Sequence, residues 1–149
     1  MNIFEACEAG DMARLCELIN QDPSLVHART SAEDKERGGG NTLLHRASWF
    51  NRTEAVGLLL DRGADIEAKD GDHGGTPLCY CAWRANIEAA ELLLDRGADI
   101  NATNKYGETP LKVAQIGASG GLKQHHFAKP ADNYRPLVDL LDRRREKPH

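Results

Sequence analysis

Aromatic residues are scarce in this sequence: two Trp, three Tyr and three Phe in 149 residues. A core built on large rings is therefore not expected. Leu and Ala carry the apolar content instead, and both are good helix formers. Alternating β-branched runs are nearly absent too, which argues against strands. Excess basic charge is missing. The net charge is −4, and the one basic cluster is Arg143–Arg144–Arg145. Nucleic acid is thus not an expected partner. Cysteines are few, at positions 7, 16, 79 and 81. None forms C-x-x-C, and no Cys/His set has zinc-finger spacing. They read as reduced thiols of a cytoplasmic protein. No run approaches the roughly 18–20 apolar residues of a membrane helix. Residues 1–20 carry acidic side chains and no long apolar run, so neither a signal peptide nor a membrane partner is expected. No P-loop, G-x-G-x-x-G or nucleophile–base–acid set occurs. Catalytic residues, metal ligands and cofactors are accordingly assigned to none.

What the chain does contain is a repeat. LLLDRGADI stands at Leu58–Ile66 and again at Leu92–Ile100, 34 positions on. The likeness extends outward. Thr42-Leu43-Leu44-His45-Arg46-Ala47 aligns with Thr76-Pro77-Leu78-Cys79-Tyr80-Cys81 and with Thr109-Pro110-Leu111-Lys112-Val113-Ala114. Periods of 20–50 residues mark stacked supersecondary units. Each unit reads as two short helices and a loop. Thr42, Thr76 and Thr109 suit helix N-caps, and Pro77 and Pro110 then fall at the first helical position. Val56, Leu59 and Leu60 give the second helix an apolar face, as Ala90, Leu93 and Leu94 do in the next copy. Gly63 and Gly97 suit left-handed caps. One such pair cannot bury its apolar face alone, so each copy is the packing partner of the next.

The pattern T-P-L-x-x-A followed by L-L-L-x-x-G-A-D-I resembles the ankyrin repeat. The resemblance implies an all-α solenoid of stacked helix-turn-helix units joined by β-hairpin-like loops. It implies one domain over 1–149, with repeats at about 1–29, 42–70, 76–103 and 109–142, the outer two acting as caps. His45 then takes the family's role of an inter-repeat hydrogen-bonding strut, which is altered where Cys79 replaces it.

The chain departs from its repeat twice. Residues 31–41, with Gly38-Gly39-Gly40 near their end, are inserted before Thr42 and read as a solvated loop. Residues 119–133 are inserted between the helices of the last repeat. A loop that long is uncommon in a compact domain. It reads equally as a mobile loop or as a lid, with Leu122 and Phe127 available to dock.

The resemblance also implies a binding side, made of hairpin tips and first helices. Carried over by position, the tips contribute Asp72, His73, Lys105 and Tyr106. The first helices contribute Arg46, Trp49, Phe50, Tyr80, Trp83, Arg84 and Ile116, with Val113, Gly117, Glu8 and Asp11 beside them. Both tryptophans fall at the same repeat position. Trp, Tyr and Arg are the residues that anchor interfaces. Inherited packing at the helix rim is the plainer reading of the same pair. The expected function is a non-catalytic protein-binding scaffold or inhibitor, monomeric, with a protein partner of unknown identity. A small-molecule ligand or enzyme site, closed by the last insertion, is the alternative; His73, His125, His126 or Asp72 would be its acid or base.

Overall fold

A computed structural model describes residues 2–146. Eight α-helices succeed one another in pairs among them: α1 (Ile3–Ala9) with α2 (Met12–Gln21), α3 (Leu43–Trp49) with α4 (Thr53–Asp61), α5 (Pro77–Arg84) with α6 (Ile87–Asp95), and α7 (Pro110–Ala118) with α8 (Arg135–Arg145). The tail beyond Glu146 lies outside the described residues. First helices form one layer, α1 on α3, α3 on α5, α5 on α7. Second helices form the other, in the order α2, α4, α6, α8. One continuous core runs between the layers, filled by Leu43, Leu44, Leu59, Leu78, Leu93 and Leu137 among others. This is the all-α solenoid expected of the repeat.

Local chemistry sets the helix limits. The Thr42, Thr76 and Thr109 hydroxyls accept the N–H of the third residue of α3, α5 and α7. Pro77 and Pro110 open their helices without losing a hydrogen bond. At the other end, Gly63 (φ 91°) and Gly97 (φ 95°) are left-handed. Ala64 N–H then reaches back to the Leu59 carbonyl, and Ala98 to Leu93. Nothing lies within 4 Å of a Cβ built at either glycine. Gly63→Val and Gly97→Val should therefore act through the backbone alone. Each should lower stability by on the order of 1–3 kcal/mol. A chemical-denaturation midpoint unmoved by both changes would contradict that account.

The connecting loops are hairpin-like without forming strands. Among the described residues the sole ladder element is an isolated bridge, Arg29 with Thr42. The Asp70 carboxylate instead accepts the N–H groups of Asp72, His73 and Gly75. Asn104 does the same for Tyr106 and Glu108. Successive tips are laced together, Gly71 N–H to the Gly39 carbonyl and Lys105 N–H to that of His73.

Neither insertion is a free loop. Arg37, from the first, grips Glu8 of α1 with two donors, the closest at 2.9 Å, and Asp34 at 3.5 Å. Gly39 N–H binds Asp72 at 3.0 Å. Ser31, Ala32, Glu33, Lys35 and Glu36 are exposed, so the segment is solvated, but a largely buried arginine–carboxylate pair ties it down. The second insertion folds back over the stack. Leu122 is buried, and Tyr134, just beyond the insertion, is fully enclosed. The Tyr134 hydroxyl donates to the Trp83 carbonyl at 2.6 Å, and Lys129 Nζ donates to Asn86 Oδ1 at 3.0 Å.

Candidate functional site

The two insertions and the hairpin tips enclose a groove of about 780 Å³ over the first-helix layer. Its floor is a line of rings. Trp49 meets Tyr80 edge-on at 5.7 Å, and Tyr80 meets Trp83 at 5.4 Å. His73 continues the line, 5.6 Å from Trp83 and 6.1 Å from Tyr106. At the opposite end Phe127, from the second insertion, sits edge-on to Trp49 at 5.1 Å. Tyr80 and His73 are held before any ligand arrives, whereas Tyr106 is exposed on the rim. Tyr80 is wedged against His45 at 4.7 Å, and His73 Nδ1 lies 3.2 Å from the Tyr106 hydroxyl. Such fixing lowers the ordering cost of association.

Eight of the eleven residues singled out by position line this groove: Arg46, Trp49, Asp72, His73, Tyr80, Trp83, Tyr106 and Ile116. Phe50, Arg84 and Lys105 do not, yet each touches a residue that does. The Arg46 guanidinium lies over Phe50 at 5.3 Å, Arg84 over Trp49 at 5.1 Å, and Lys105 over Tyr106 at 5.3 Å. Arg46 is less available than its position implied. It is buried and binds Glu8 through Nε at 2.8 Å. Glu8 is spent on Arg37 and Arg46, and Asp11 caps α2 by accepting the Arg14 N–H. Lys35, Glu36, Arg37 and Gly38 line the groove as well. The repeat could not point to them, because they belong to no copy of it.

The catalytic candidates have structural surroundings. His45 Nδ1 accepts the Thr42 N–H at 3.2 Å, so Nε2 carries the proton and donates to the Gly75 carbonyl at 2.8 Å. It is the strut between neighbouring units. At the equivalent place Cys79 receives only a long contact from Asn104, 3.9 Å. Burial pushes the His45 pKa down to about 4. Its folded pKa thus lies below an unfolded value near 6.5. The unfolded chain binds the extra proton first, so stability is intact above about pH 6.5. It falls as pH drops toward 4, at up to about 1.4 kcal/mol per unit. Urea midpoints for wild type and His45→Gln should converge over that window. A parallel decline would remove His45 as the cause.

Burial also pushes the thiols of Cys7, Cys79 and Cys81 up to about 12, which leaves them unreactive. The Tyr80 phenol is raised by burial and by the Asp70 charge. His125 and His126 are exposed and pack on Phe127. Among the described residues no group of three His, Cys, Asp or Glu is placed to hold a metal. None of their helices is long and apolar enough to cross a membrane. A second hollow, about 980 Å³, lies between Gly97–Asn101 and the end of α8. It has no aromatic lining, and its Arg144 and Arg145 are paired with Asp95 and Asp142.

Two family models match the sequence. One, described as ankyrin repeat, covers residues 39–71. The other, ankyrin repeats (many copies), covers residues 70–114. The chain belongs to the ankyrin repeat family. Ankyrin repeats are in general protein–protein interaction modules. The matched span carries Trp49, Tyr80, Trp83 and three of the hairpin-tip residues of the groove, whereas the wall built by residues 119–133 lies beyond it.

Proposed function

We propose that this ankyrin repeat chain is a non-catalytic protein-binding module that holds a segment of its partner in the aromatic groove. One observation carries the reading: both tryptophans, Tyr80, Tyr106 and Phe127 line a single preformed groove. Rings fixed in place supply contact area at little entropic cost, and they dominate binding energy where they occur. Binding, blocking or bridging is then the activity of this module, as befits a scaffold or inhibitor. The compartment we assign is the cytoplasm. Four free thiols, three of them buried, suit a reducing medium. We take the working form as a monomer.

A photo-crosslinking residue at Tyr106, on the groove rim, tests the reading against the same residue at Asp61, on α4. In cell extract the first should trap a discrete protein and the second should not. Trp49→Ala should abolish the trapping. Equal labelling from both positions would refute the groove. Stabilisation by metabolites with no protein trapped would favour the small-molecule alternative.

A further inference from the structure

The charges around the groove point to the chemistry of what it takes. We infer that the bound segment is basic: an extended stretch of a protein partner carrying arginine, or less favourably lysine. This rests on the protein-binding reading above and narrows it to one class of partner.

Six charged side chains line the groove, and they are not equally free. Arg37 and Arg46 are committed to Glu8 and Asp34. The carboxylates of Glu36, Asp72 and Glu108 have no cation within 4 Å among the described residues. Lys35 is the one lining cation left to oppose them, and Arg84 and Lys105, which lie behind the lining, are turned onto the faces of Trp49 and Tyr106. The three carboxylates come from successive layers: the first insertion and the two hairpin loops beyond it. All three line the same groove and make up its acidic wall. A cationic side chain crossing the rings would meet this wall. An acidic segment would be repelled by it.

The rings favour the same sign. The face of an aromatic ring is electronegative and attracts cations. The protein already lays its own cations on rings of this groove, Arg84 on Trp49 and Lys105 on Tyr106. Trp83 and Phe127 carry none of the described cations in this way. Arginine suits the place better than lysine. Its planar guanidinium stacks on rings, can bond a carboxylate with two donors, and is more weakly hydrated than an ammonium.

Selection from a random dodecapeptide library on the full-length protein tests the inference, with Trp49→Ala protein as counter-selection. The expected result is a set of tryptophan-dependent peptides enriched in arginine over lysine, glutamate and aspartate. Their affinity should fall by about tenfold or more in the Glu36→Gln, Glu108→Gln double variant and weaken with added salt. Glu36 is exposed, and Glu108, half-buried, accepts the Asn104 side-chain amide at 3.0 Å, a bond the glutamine carbonyl can still accept; an unchanged melting temperature of the double variant shows that it reads charge rather than folding. Tryptophan-dependent peptides that are neutral or acidic would overturn the basic-segment inference and leave the protein-binding reading standing. Basic peptides indifferent to the double variant would also overturn it. Recovery of no tryptophan-dependent peptide would overturn the protein-binding reading itself.

Discussion

Gly117→Ala should destabilise this protein, although alanine is the better helix former. Gly117 lies inside α7, where exchanging glycine for alanine ordinarily gains about 1 kcal/mol. Here a Cβ would stand 2.4 Å from Cδ1 of Tyr134, 2.6 Å from its Cγ and 2.7 Å from its Cε1. The ring cannot step aside. It is fully buried, and its hydroxyl is bonded to the Trp83 carbonyl and receives the Lys129 N–H at 3.3 Å. Overpacking of a fixed ring typically costs 1–3 kcal/mol and sometimes more, about enough to outweigh the helical gain. With so close a contact putting the cost at the upper end, the expected net loss is about 1–2 kcal/mol, or roughly 2–8 °C in melting temperature for a chain of this size. The second insertion should loosen at the same time, releasing Phe127 from Trp49. A double-mutant cycle separates the causes. In a Tyr134→Ala background, Gly117→Ala should become neutral or stabilising. A single Gly117→Ala variant that melts higher than wild type would refute the clash.

The contrast between Gly117 and Gly63 marks what the sequence could reveal. Gly63 follows a helix and recurs at Gly97, so its left-handed role is local and periodic. The threonine caps and Pro77 and Pro110 are legible for the same reason. Each acts within a few residues of itself, and each is written more than once. Gly117 has no such signature. Its partner Tyr134 lies 17 positions on, across an inserted loop, and only the folded stack brings them together. The same holds for the groove's walls. Arg37 finds Glu8 29 residues back, and the Tyr134 hydroxyl finds a carbonyl 51 residues away. The floor, by contrast, was legible, because Trp49 and Trp83 share a repeat position. Arg46 shows the limit of reasoning by position. It stands on the right helix, yet Glu8 claims it.

Identical repeat position does not make the two tryptophans equivalent, and this sets the last prediction. Trp83 packs against the main core and also against the small cluster of Ala85, Leu122 and Tyr134. Trp49 belongs to neither; its ring contacts are Tyr80, Phe127 and the Arg84 guanidinium. Trp49→Ala should therefore leave the melting temperature close to wild type. Its binding should weaken by about 2 kcal/mol or more, roughly thirtyfold, as for a truncated hot-spot ring. Trp83→Ala should lose binding and also about 2 kcal/mol or more of stability, since it empties space beside buried residues. Because these are the chain's two tryptophans, each single variant leaves one reporter of the groove. Fluorescence of the Trp49→Ala protein should still sense a ligand through Trp83. Equal thermal losses from the two truncations, with binding per folded molecule intact, would make both tryptophans packing residues. The binding surface would then have to lie among the hairpin tips, at Asp72, His73, Lys105 and Tyr106.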